Sequence, residues 1–343
     1  FAVEYFTEKD ISLDKPVQDL LKEIKSGFLL KSKPGCPAEW ADRVLVRNLM
    51  DHTGLGMHYV YGVPLKDSMP KPEELMRGHN KYGYPQLLVE KEPGTKFGYS
   101  GGGFIMLQHI IETMEGKGID EVMRPFIDKC NMRDFTVTPE TVSHKEYAVG
   151  YHESGKAVEG GRLMFPPLAA GMMGSTASLS QFLVELGKAY QDEKKSSGPI
   201  SYETAKAMLT AGPDKGSQEF MGAGMGLGVF VVKAGPNTLA LHQAANDGFR
   251  GLYLMCFDGP DAKDGPCGFV LVSNGDNNAM FLNCEISKMA LRAFAWQGVD
   301  LSRVPGGVEG DAKSKPEMKI DEIKQEEIVN RGLKELVFDA FVQ

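Results

Sequence analysis

The chain has 343 residues, 42% hydrophobic and 24% charged, with 38 basic and 46 acidic residues giving a formal net charge of −8. That length supports one large core or two lobes, and the composition is that of an ordinary globular protein. Basic residues are scattered and no apolar run is long enough to span a bilayer, so neither nucleic acid nor a membrane span is expected.

Residues 1–8 read as the tail of a helix. Ser12-Leu-Asp-Lys-Pro16 reads as a turn into a second, with Pro16 at its first position and Asp14 accepting from an open N–H. A short amphipathic helix is expected over 44–51, then a turn at Gly54–Gly56. The Pro-, Gly- and Lys-rich stretch 60–96 reads as an excursion over the surface. Phe104, Leu107, Ile110 and Ile111 share one helical face, and 119–131 is a further helical stretch. Residues 145–175 are irregular; helices follow at about 177–191 and 201–210, separated by a surface loop at Glu193–Pro199.

The period then changes. Segments 228–234, 238–245, 250–258 and 268–274 are short, apolar and divided by Gly, Pro, Asn and Asp, as expected of an antiparallel meander. A helix over 279–297 is expected to turn Met280, Leu282, Ile286, Met289 and Phe294 onto that sheet. Beyond Gly306 comes a charged stretch with a last helical piece at 323–341. The fold class is α+β, of the α/β sandwich type: an antiparallel sheet flanked by helices, plus a mainly helical lobe. We expect one domain over 1–306, its helical lobe about 44–210 and its sheet-forming part about 222–297, with 307–343 as a charged extension.

Five cysteines, Cys36, Cys130, Cys256, Cys267 and Cys284, form no C-x-x-C pair, and their odd count argues against a disulfide framework. A soluble protein is expected and a reducing compartment favoured. Phe1-Ala-Val-Glu-Tyr-Phe lacks the basic start and cleavage site of a signal peptide. No P-loop or dinucleotide pattern precedes a helix, and no histidine spacing suggests a metal. No metal or organic cofactor is expected.

Four segments carry a family resemblance through their order and spacing: Ile11-Ser-Leu-Asp-Lys-Pro-Val17, Asn48-Leu-Met-Asp-His-Thr-Gly-Leu55, Pro93-Gly-Thr-Lys-Phe-Gly-Tyr-Ser-Gly-Gly-Gly103 and His242-Gln-Ala-Ala-Asn-Asp-Gly-Phe249. Together they resemble the serine β-lactamase and penicillin-binding-protein superfamily, in its class C β-lactamase, family VIII esterase and D-peptidase-like branch. The resemblance covers roughly residues 1–297 and implies a β-lactamase/transpeptidase-like fold working through an acyl-enzyme. That chemistry needs a nucleophile, a base, oxyanion donors and a substrate-binding group.

The resemblance implies that Tyr99 is the tyrosine of a Tyr-x-Asn motif, whose phenol relays a proton if a neighbouring ammonium lowers its pKa. The motif's asparagine is Gly101 here, which points to esters more than to amides or β-lactams. His242 opens the counterpart of His-x-Gly, with Ala244 in place of the glycine, and the Ala245 N–H is the implied second oxyanion donor. His52 falls in a packing and turn segment and is not read as catalytic. The nucleophile, part of a Ser-x-x-Lys element, is expected upstream of Phe1. Two internal strings of that form, Ser12-Leu-Asp-Lys15 and Ser68-Met-Pro-Lys71, read as decoys because each lies in a loop and sits beside or contains a proline.

Two functions follow. One is a serine hydrolase or acyltransferase of esterase or peptidase type, acting on a small ester, peptide or amide. The other is an inactive relative serving as a binding or structural subunit, with a protein partner or a companion N-terminal segment.

Overall fold

The sheet is built by alternation. Phe230, Val232, Leu239, Leu241, Leu252, Leu254 and Cys256 turn to one face, and Val231, Ala240, Met255 and Phe257 to the other, all of them buried. Each such aliphatic side chain removed from water contributes about 1.5–3 kcal/mol. The computed structural model describes residues 1–137, 147–194 and 198–300. Five strands run in sequential antiparallel order, β3 (Gly224–Met225), β4 (Phe230–Ala234), β5 (Asn237–Asn246), β6 (Phe249–Asp258) and β7 (Cys267–Ser273). A two-stranded ribbon, β1 (Val63–Pro64) with β2 (Leu163–Met164), stands apart from them. The fold is α+β, with helices packed on an antiparallel sheet.

One asymmetry in register positions the site. β4 pairs with β5 only from Ala234↔Asn237 to Phe230↔Leu241, whereas β6 follows β5 out to Asn246↔Phe249. Alternate residues of an antiparallel strand aim their backbone groups at opposite neighbours. Past Leu241 the β4 side of β5 has no strand, so residues 242–246 offer part of their backbone to a cleft.

The helices are α1 (Ala2–Glu8), α2 (Val17–Glu23), α3 (Trp40–Arg43), α4 (Val46–Met50), α5 (Pro72–Met76), α6 (Gly101–Glu115), α7 (Ile119–Lys129), α8 (Thr176–Gln191), α9 (Tyr202–Leu209), α10 (Ser217–Met221) and α11 (Asn277–Phe294). α6 is the central one, buried on every side from Gly101 to Ile111. Its buried His109 is satisfied by a bond between Nε2 and Ser26 Oγ (2.7 Å). α8 and α11 lie against β6 and β7, their inward residues falling on opposite faces of the sheet. α1 packs on α9, where the Glu4 carboxylate accepts from the N–H (2.9 Å) and hydroxyl (2.8 Å) of Ser201, 197 residues away.

Three sequence expectations are corrected. α11 turns Met280, Asn283, Cys284, Ser287 and Leu291 inward, while Leu282, Ile286, Met289 and Phe294 are exposed, Met289 by 66%. The contact surface is made of small and polar residues that a hydrophobic count passes over; Ser287 Oγ donates to Asn283 O (2.7 Å). The stretch 60–96 is not a surface excursion, since it carries α5 and buries Val63, Leu75, Met76, Leu87 and Val89. Pro16 is the N-cap of α2 rather than its first residue, and Asp14 pairs with Arg47 (2.6 Å) instead of capping. The extension 307–343, its helix over 323–341 and residues 195–197 of the separator loop lie outside the described residues. All five cysteines are free. No helix among the described residues is long and apolar enough to cross a membrane.

Candidate functional site

Tyr99 is set in place by backbone bonds on both sides of it. The turn before it, with Gly94 at φ 77°, donates from the Gly94 N–H to Thr53 O (3.0 Å). Phe97 N–H then donates to Lys215 O (2.7 Å) and Gly98 N–H to His52 O (2.9 Å). Ser100 N–H donates to His52 Nδ1 (3.0 Å), while Ser100 Oγ caps α6 by accepting from Gly103 N–H (3.2 Å) and donates to Gly56 O. The His52 ring stacks under the Tyr99 ring at 4.2 Å, and Phe220 stacks on it at 5.8 Å.

His52 is 2% exposed, with a left-handed φ of 58°. Burial and the neighbouring His242 hold its pKa down at about 3, so it is neutral. Nδ1 accepts from Ser100, which places the proton on Nε2. Its contacts make it a support for Tyr99.

Tyr99, Gly101, His242, Ala244 and Ala245 are brought together in the lining of one cleft of about 700 Å³. The Tyr99 and His242 ring centroids are 6.3 Å apart. Burial pushes the Tyr99 phenol up to about 12, the reverse of the lowering expected from an ammonium. Tyr99 is therefore a protonated phenol at neutral pH, and its hydroxyl makes no hydrogen bond among the described residues. His242 Nδ1–H donates to Gln243 O (2.6 Å), and burial lowers its pKa. The ring is neutral and presents the Nε2 lone pair as an acceptor.

Sequence reasoning missed most of the wall. His58, Tyr59, Tyr61, Phe165 and Phe220 also line the cleft, and the His58 ring lies 5.4 Å from that of Tyr99. The aromatic run His58-Tyr-Val-Tyr61 was a usable signal, but only the fold brings it to the site. It arrives there because position 101 is glycine. Gly101 N–H donates to His58 O (3.1 Å), and a Cβ at 101 would lie 2.7 Å from Val60 Cγ1. Gly101→Asn, restoring the motif's amide, is therefore expected to cost about 1–3 kcal/mol by overpacking. Combining it with Val60→Ala should recover most of that loss, as read by urea unfolding; equal stabilities of wild type and single variant would refute the close-packing account.

Arg250 lines the far end, but its side chain is only 1% exposed and committed to the fold. Nη1 donates to Asn246 O (2.7 Å) and Phe249 O (2.8 Å), and Nη2 donates to Asn277 Oδ1 (3.0 Å). The guanidinium also lies 3.4 Å from Asp276 Oδ1. It clamps the β5–β6 turn to the start of α11. The two Ser-x-x-Lys strings are outside the cleft: Ser12 Oγ accepts from Asp14 N–H and Lys15 pairs with Glu23, while Ser68 and Lys71 are exposed. Among the described residues, the cleft lining holds no serine, threonine or cysteine.

The family model described as Beta-lactamase matches residues 2–288. No curated protein matches the sequence. Among solved structures, the chain is similar to an octameric penicillin-binding protein homologue from Pyrococcus abyssi, at 19% identity and a TM-score of 0.58, over 87% of this chain and 64% of that one. It thus spans less than two thirds of that relative's length. It is also similar to D-amino acid amidase from Ochrobactrum anthropi SV3, complexed with L-phenylalanine (19%, TM-score 0.58, 80% and 74% covered), and to a penicillin binding protein from Bacillus halodurans (16%, TM-score 0.57, 85% and 80% covered). At these identities the likenesses establish the fold.

Proposed function

Because the chain belongs to the Beta-lactamase family, matched over residues 2–288, we propose that its cleft carries out acyl transfer from a small ester or amide through a serine acyl-enzyme. One observation carries the reading: the free Tyr99 hydroxyl, the His242 Nε2 acceptor and the unpaired backbone edge of residues 242–246 converge on one cleft. The serine reaches that cleft from residues outside 1–343, in a Ser-x-x-Lys element. Its oxygen adds to the substrate carbonyl carbon while its proton passes through the Tyr99 hydroxyl to the leaving oxygen or nitrogen, and water then releases the acyl group. Because a phenol hydroxyl both donates and accepts, Tyr99 can hand on its own proton as it receives the serine's, and the ammonium of the Ser-x-x-Lys element is what would offset the upward push of burial on its pKa. The Ala245 N–H supplies one oxyanion donor. His242 accepts a hydrogen bond from the substrate, which lies against Ala244 and Gly101. The likeness to a D-amino acid amidase supports amide-type substrates; the missing amide at Gly101 favours esters over them.

A second reading rests on the absence of serine, threonine and cysteine from the described cleft lining. Residues 1–343 alone then bind without turnover, since losing the nucleophile costs about 10⁶ in rate. Treating the protein in its natural full length with a fluorophosphonate and weighing it intact separates the two. One adduct on a Ser-x-x-Lys serine, with p-nitrophenyl esters cleaved faster than p-nitroanilides, supports the hydrolase. No adduct and no ester cleavage leaves the binding protein.

A further inference from the structure

The cleft is chemically lopsided. Its walls are aromatic, with Tyr59 40% and Tyr61 45% exposed and Tyr99, Phe165 and Phe220 beside them. At the β5–β6 turn the cleft carries a single carboxylate among the described residues. Asp247 occupies the turn between β5 and β6 and is half-buried. Among the described residues, no hydrogen bond or ion pair engages its carboxylate. The nearby Arg250 does not cancel this charge, because Asp247, Asp276 and Glu153 all act on that one guanidinium. Arg250 is moreover shielded behind its bonds to Asn246, Phe249 and Asn277. Among the described residues no lysine lines the cleft.

An ammonium group at this end gains attraction to a carboxylate and to the electron-rich faces of the tyrosines. A carboxylate there meets like charge across a low-dielectric wall. Resting on the reading of this cleft as the substrate site, we propose that its substrates are aryl- or alkyl-bearing amines in cationic form. The apolar group is held by the aromatic wall and the ammonium by Asp247.

Three probes of similar size test this by chemical-shift titration of the natural full-length protein at low salt: benzyltrimethylammonium, benzyl alcohol and phenylacetate. The cation is expected to bind about tenfold tighter than the alcohol, with phenylacetate weakest. Asp247→Asn, which a turn accepts readily, should bring the cation down to the level of the alcohol without changing the alcohol itself. Asp247→Glu should keep the preference. Phenylacetate binding as tightly as the cation, or a preference that survives Asp247→Asn, overturns the proposal, as does failure of all three probes to bind. The readout needs no turnover. A protein that prefers the cation yet forms no acyl-enzyme refutes only the hydrolase reading, and acylation without the preference refutes only this one.

Discussion

Tyr99→Phe is expected to lower kcat/KM for an ester substrate by about 10²–10⁴-fold, the usual span for losing a positioned proton-transfer group. The unfolding midpoint should not move. The substitution keeps the ring that stacks on His52 and Phe220 and removes only a hydroxyl without a partner among the described residues. The pH profile adds a second readout. With the phenol near 12, activity should show no loss at neutral pH attributable to phenol ionisation. An activity within threefold of wild type would remove Tyr99 from the proton path.

The second expected result is acid lability originating at His52. Unfolded, its imidazole takes a proton near pH 6.5; folded, it resists protonation down to about 3. Between those values the unfolded state binds more protons, so stability rises with pH there and is flat above 6.5. Approaching from neutrality, the contribution is lost as pH falls, by up to about 5 kcal/mol for a shift of this size. His109 and His242, also lowered by burial, act in the same direction. His52→Asn suits the left-handed backbone at this position and offers Oδ1 to the Ser100 N–H. Urea unfolding from pH 7 to pH 4 should show a shallower fall in stability for the variant. Parallel curves would place the acid sensitivity elsewhere.

Legibility followed periodicity. Strands β4 to β7 are short apolar runs divided by Gly, Pro, Asn and Asp turns, and α6 to α9 carry helical faces, so these elements could be read from the sequence. α11 misled because its exposed stripe, Leu282, Ile286 and Met289, is more apolar than its buried one, which includes Asn283 and Ser287. The buried residues of 60–96 are separated by prolines and glycines and have no period to detect. At the site, Tyr99, Gly101, His242, Ala244 and Ala245 were named from local motifs and do share a cleft. Phe165 and Phe220 were not found, since an isolated aromatic residue carries no local mark of a contact made across the fold, and Asp247, although inside the motif His242–Phe249, was given no role. The direction of the Tyr99 shift was also out of reach, because it depends on burial by segments distant in sequence.

The clasp between Glu4 and Ser201 sets a clock on biosynthesis. A ribosome adding about 5–20 residues per second needs about 10–40 s to make the 197 residues that separate the two partners. Through that interval the apolar side of the first helix, Val3, Tyr5 and Phe6, waits without the α9 surface it finally packs against. For that interval the segment around the first helix is an aggregation hazard wherever it stands in the nascent chain, because its partner surface has not yet been made.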